Sequence, residues 1–102
     1  MTDFELNKAI AKKLGINYFG NGLCIDPDGN YFDLPDYCNN WNDLMPLVIE
    51  YKINFRYARE INAYEVYNHL SEQPFHHCVS KDPQRALAEC LYKVLKDKGI
   101  DR

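Results

Sequence analysis

Apolar residues recur with a helical period at both ends of the chain and with a period of two in between. Near the start, Leu6, Ile10 and Leu14 stand four apart with Ala9 beside them, which lays one apolar stripe along a helix. Thr2 and Glu5 form a T-x-x-E capping box, in which each side chain satisfies an orphan amide of the other residue. Gly15 suits the left-handed position after the last turn, and Ile16 can pack back on the helix. A helix over about 3–14 follows. Towards the other end, Asp82 is a good N-cap and Pro83 suits the first helical position. Ala86, Leu87, Cys90, Leu91, Val94 and Leu95 then make a broad apolar face. Lys93, Lys96 and Lys98 lie late in this helix, favourably against its dipole, and Gly99 stops it.

Between these helices the pattern changes. Gly22–Ile25 and Asn30–Asp33 flank Asp26-Pro27-Asp28-Gly29, a hairpin signal with Pro27 at the second turn position and Gly29 supplying a positive φ. A second helix is predicted from near Asn40 to about Lys52, with Trp41, Leu44, Met45, Val48 and Tyr51 on its apolar side. Pro46 is tolerable if the N-cap is near Asn42, which puts it in the first turn; an N-cap at Asn39 or Asn40 implies a kink. Ile53, Phe55 and Tyr57 alternate with Asn54, Arg56 and Ala58, the signature of a half-buried strand over Ile53–Arg59. Glu60-Ile61-Asn62 is a turn, Ala63–Asn68 a second strand, and Phe75–Ser80 a further strand.

This order of elements reads as a single α+β domain over residues 1–102, a small antiparallel sheet packed by three helices in an α–β–α sandwich-like arrangement. The expected core includes Leu6, Ile10, Leu44, Val48, Leu87, Cys90, Leu91 and Val94.

Composition narrows the function classes. The chain has 102 residues, 46% hydrophobic and 26% charged, which is ordinary for a globular domain and excludes disorder. No apolar run approaches the roughly 20 residues of a membrane helix. The opening Met1-Thr2-Asp3-Phe4-Glu5 is acidic and polar, unlike a secretory signal. A net charge of −3 argues against direct nucleic-acid binding, which needs a basic surface. Residues 26–50 hold Asp26, Asp28, Asp33, Asp36, Asp43 and Glu50 and no Lys or Arg. That stretch is either a solvated acidic face or a docking surface for a partner with a basic surface.

Reactive residues lack the spacings that chemistry requires. The cysteines at 24, 38, 78 and 90 form no C-x-x-C pair, so zinc-ribbon and thioredoxin readings fail. Four reduced thiols are expected, because the spacing gives no reason for a disulfide. His69, His76 and His77 form no metal-binding motif, and a calcium loop starting at Asp26 would need Gly at its sixth position and Glu at its twelfth, where Gly29 is fourth and Tyr37 twelfth, so no metal or cofactor is expected. There is no G-x-S-x-G or phosphate loop, and the adjacent His77 and Cys78 would face apart on a strand; the chain reads as a non-enzyme. Eight Tyr, five Phe and one Trp exceed what so small a core buries cheaply. They either fill strand positions or build a surface for a protein partner or for self-association.

Three stretches carry a family resemblance: Thr2–Ala11, Asn39–Glu50 and Asp82–Ala88. In this order and at this length the set resembles the small NinX-like proteins of tailed phages and prophages and the related phage α–β–α sandwich domains. The resemblance implies an accessory protein working in the host bacterial cytoplasm, in a family whose activity is unassigned. The expected function is non-enzymatic: binding of a host or phage protein, with inhibition of a host factor or bacterial defence system as one form. The expected binding face joins Asp33, Asp36, Tyr37, Asn40, Trp41 and Asp43, since a half-covered Trp ringed by charge makes a good anchor. The alternative is a small-ligand or nucleotide-binding protein with an anion site at helix N-termini, strengthened by Arg85.

Overall fold

The computed structural model describes residues 1–20, 22–68 and 77–97. Among the described residues, three helices, α1 (Asp3–Lys13), α2 (Trp41–Glu50) and α3 (Pro83–Asp97), alternate with six strands. The strands are β1 (Asn17–Gly20), β2 (Leu23–Ile25), β3 (Tyr31–Asp33), β4 (Ile53–Ala58), β5 (Ala63–Asn68) and β6 (His77–Ser80). The fold is α+β as expected, but its strands divide into two antiparallel three-stranded sheets, β1-β2-β3 and β4-β5-β6. The expected strand residues Phe75 and His76, together with His69, Lys98 and the helix stop at Gly99, lie outside the described residues.

Local chemistry sets the helix ends. Glu5 N–H donates to Thr2 Oγ1 at 3.1 Å and Thr2 N–H to Glu5 Oε1 at 3.2 Å, which closes the capping box of α1. At its other end Gly15 has φ 85°, Gly15 N–H donates to Lys12 O at 3.1 Å and Ile16 N–H to Ala11 O at 2.9 Å. This is the paired-bond Schellman ending, and only a residue tolerant of positive φ makes it without strain. On α3, Asp82 Oδ1 accepts from Gln84 N–H at 3.0 Å and from Arg85 N–H at 3.3 Å. Asn40 caps α2 by accepting from Asn42 N–H at 3.0 Å. Of the two starts considered, the earlier one therefore holds, and Pro46 lies inside the helix. Its missing N–H removes the bond that would run to Asn42 O.

The first sheet contains one strand the pattern did not reveal, β1. It is four residues long, and its pairing with β2 slips between Tyr18 and Gly20, so no clean alternation marks it. The turn between β2 and β3 forms as predicted: Gly29 N–H donates to Asp26 O at 3.0 Å, and Asp26 Oδ1 accepts from Asp28 and Asn30 N–H, each at 2.9 Å. That carboxylate serves the turn. Tyr18 packs edge-on to Phe4 of α1, with ring centroids 5.8 Å apart, and Lys8 Nζ lies 4.7 Å from the Phe4 centroid. These contacts help seat the sheet on the helix.

Helix α3 is the hub. It touches α1, α2 and all three strands of the second sheet. Ala86, Leu87, Ala88, Cys90, Leu91, Val94 and Leu95 are fully buried, and every expected core residue is buried. The register Phe55↔Val66↔Cys78 puts those side chains on the sheet face towards α3, where Val66 and Cys78 are buried. The predicted apolar face of β4 is only partly covered: Ile53 is buried, but Phe55 is 44% and Tyr57 47% exposed. They extend towards the turn at Arg59–Asn62, where Tyr57 and Tyr64 rings stack edge-on at 5.2 Å and Tyr57 hydrogen-bonds Asn62. On the opposite face Arg56 and Glu65 form a cross-strand ion pair at 3.1 Å.

Because α3 packs on both other helices and on all three strands of the second sheet, truncating its centre should destabilise the fold. Leu91→Ala should lower unfolding free energy by about 2–5 kcal/mol, the range for a buried leucine that leaves a cavity. Urea denaturation of the variant beside the parent measures this, and an unchanged midpoint would contradict the placement.

Candidate functional site

The segment from Leu34 to Asn40 leaves β3, passes under the first turns of the helices and delivers the chain into α2. Leu34 N–H donates to Gly22 O at 2.8 Å, which prolongs the pairing of the first sheet. Asp36 then becomes a junction. Its Oδ1 accepts from Asn7 Nδ2 of α1 at 3.0 Å and from Asn39 Nδ2 at 3.2 Å. Its backbone N–H donates to Asp43 Oδ2 of α2 at 2.9 Å, and its carbonyl accepts from Asn40 N–H at 2.9 Å. Asn39 Nδ2 also reaches Asp3 Oδ2 at 3.2 Å, so one amide bridges two carboxylates.

Asp3 carries the network to α3. Its other oxygen accepts from Arg85 Nη1, while Arg85 Nε donates to Glu89 Oε1 at 2.8 Å and Nη2 to Met1 O at 2.6 Å. Gln84, 6% exposed, donates through Nε2 to Tyr37 O at 3.2 Å. Each helix has an acidic or amide side chain at its start to meet the partial positive charge there. Asn7 is as buried as Gln84, and its Oδ1 has no hydrogen-bond partner among the described residues. That unsatisfied acceptor carries a desolvation cost, while the Nδ2 of the same amide holds Asp36 in place.

The anticipated residues are thus only partly one surface. Asn40, Trp41 and Asp43 share the first turn of α2, and Asp36 is tied to Asp43. Trp41 is 41% exposed, flanked by exposed Asn40 and Asn42. Asp33 lies exposed on β3. Tyr37 is different: its ring is buried in the core, and burial followed by the charge of Asp43 drives its hydroxyl pKa upward. It supports the segment from beneath. Arg85 joins the network through Asp3, and two carboxylates already balance its charge. An incoming anion at the start of α3 would meet those carboxylates and Asp82. Asn7, Asn39, Gln84 and Asp3, which organise the segment, were not singled out as site residues. The signal available was polar Asn7 beside Leu6 on an otherwise apolar stripe.

The cysteines are all buried thiols. Cys24 is pushed up by burial and by Asp33, and Cys38 to about 12, chiefly by burial. Both behave as small core hydrophobes.

The same architecture occurs in the crystal structure of a phage protein from Bacillus cereus ATCC 14579. The two superpose with a TM-score of 0.76 over 94% of this chain and 89% of that one, at 15% sequence identity. At that identity the likeness establishes a shared fold. No protein-family model matches the sequence, and none of the curated proteins matches it.

Asp3 should register in the acid limb of stability. The Asn39 amide, then the Arg85 guanidinium, hold its carboxyl below the ordinary 3.8. Between that lowered value and 3.8 the unfolded chain binds the extra proton, so stability is present above 3.8 and falls as pH drops through the folded value. Asp3→Asn should therefore lower Tm at neutral pH and flatten its decline in acid. Thermal melts of both proteins across this range check it; parallel curves would show that Asp3 has no role there.

Proposed function

We propose that this chain is a phage accessory protein that acts by binding another protein, with the first turn of α2 and the acidic segment leading into it as the contact face. The observation that carries this reading is Trp41: a large aromatic, 41% exposed, at the first position of a helix whose start is fixed by Asn40, Asp36 and Asp43. An indole held on a rigid support loses little entropy on binding, which is what makes a Trp a strong anchor. The absence of Lys and Arg from residues 26–50 favours a partner with a basic surface. The shared fold with a phage protein and the resemblance of three segments to NinX-like proteins favour the phage setting. In that setting the partner is a host or phage protein, and a host factor or defence system in the bacterial cytoplasm is the class of target it serves to inhibit. The charge balance around Arg85 weighs against the anion-binding alternative.

The test uses the tagged protein as bait in a bacterial lysate, with partner identification by mass spectrometry. A stoichiometric partner should be retained by the parent and lost by Trp41→Ala, which should weaken binding by about 2 kcal/mol, roughly 30-fold in Kd. Asp33→Lys, at an exposed position, should slow association and reduce its salt dependence. Asp36 is unsuitable for this purpose because it ties α1 to the segment. If the partner binds Trp41→Ala and Asp33→Lys as it binds the parent, the contact face lies elsewhere.

A further inference from the structure

Away from the acidic face, the interface between β6 and α3 holds a set of side chains that the proposed binding function does not use. Cys78 projects from β6 towards α3, and Cys90 sits on the buried side of α3. Both belong to one buried cluster, and each thiol perturbs the other's acidity across the interface. Lys93, one helical turn beyond Cys90, donates from Nζ to Cys78 Sγ at 3.4 Å. Cys78 is 6% exposed and Cys90 fully buried, while Lys93 is exposed and lines a cavity of about 160 Å³ with Arg85, Glu89 and Tyr92. The arrangement gives the two sulfurs unequal roles. Contact with the Cys90 thiol and the charge of Lys93 favour the thiolate at Cys78, against its burial and the charge of Glu89. The same contact, with burial, disfavours ionisation of Cys90. A thiol whose ionisation is favoured, set beside a second thiol, is the constellation of an oxidisable dithiol.

We propose that Cys78 and Cys90 are a peroxide-oxidisable pair, Cys78 taking the first oxidation and Cys90 closing a disulfide that staples β6 to α3. In the first step the Cys78 sulfur attacks one oxygen of hydrogen peroxide. The O–O bond breaks, Cys78 becomes a sulfenic acid, and the departing hydroxide takes a proton from solvent to leave as water. In the second step the Cys90 sulfur attacks the Cys78 sulfur. The S–S bond forms, the S–O bond breaks, and the Cys90 proton leaves with the hydroxyl as a second water. Each sulfur gives up one electron, and the peroxide oxygens are reduced to two waters. Sequence spacing gave no hint of this pairing, because it arises where the last strand crosses the last helix.

The intact protein is treated with hydrogen peroxide, alkylated, digested and mapped by mass spectrometry. The expected product is a Cys78–Cys90 cross-linked peptide, two hydrogens lighter than the reduced pair and reversed by dithiothreitol, with Cys24 and Cys38 still alkylated. Lys93→Gln should slow the reaction about twofold at neutral pH and more below pH 6, where a loss of one unit in thiol acidity cuts the thiolate share further. Cys90→Ala should leave a sulfenic acid on Cys78 that dimedone traps. The proposal is overturned if Cys78 and Cys90 stay reduced at peroxide levels that oxidise a control dithiol peptide. A disulfide between other cysteines, or wild-type oxidation kinetics in Lys93→Gln, overturns it equally.

Discussion

Three helices begin around one short segment, and the electrostatics of that convergence govern the molecule. A helix start exposes unpaired N–H groups and a partial positive charge. Asp3 of α1 is bonded to Arg85 of α3, and Asn39, one residue before the cap of α2, is bonded to Asp3. Like ends brought together repel unless acceptors lie among them. Asp3, Asp36, Asp43 and Asp82 supply them, and Asn39 keeps two of these carboxylates from facing each other unbridged. Much of the acidity at residues 33–43 is therefore structural, and only the part that faces outward remains for recognition.

This division explains how Trp41 can be exposed while its backbone is held at the helix start. Its backbone belongs to a capped helix, Asp43 from the same turn reaches back to Asp36, and Asp36 is held by Asn7 from the core side. Beneath it Tyr37 and Cys38 are buried, and Gln84 clasps the Tyr37 carbonyl. A contact surface built in this way is presented by packing rather than by its own rigidity.

What the sequence made legible was whatever is decided within a few residues. The capping box at Thr2 and Glu5, the Gly15 ending, the Asp26–Gly29 turn and the Asp82-Pro83 start are all local, and all appear as expected. The alternation in β4 correctly marked a strand but not its cover, since no local pattern tells how far α3 extends over Phe55 and Tyr57. Strand β1 escaped because a slipped, four-residue strand has too little periodicity to detect. Tyr37 looked like a surface aromatic among acids, yet its position depends on Gln84, 47 residues away. The candidate site was half visible for the same reason: Asn40, Trp41 and Asp43 share one turn, whereas Asn7, Asp3 and Arg85 join them only through the tertiary fold.

Helix α2 shows what such dependence means for the order of assembly. Pro46 removes a backbone hydrogen bond from its interior, and its last turn carries no basic residue to meet the dipole. Lacking these sources of intrinsic helicity, it has little reason to form before its partners are in place. Helices α1 and α3 have no such interior break and end on basic last turns, so they can be sampled early in a collapsing chain. The stretch from Leu34 to Glu50 must then condense onto them in one event, loop and helix together. In kinetic language, a segment that forms late is one where a substitution is expected to change the rate of unfolding more than the rate of folding.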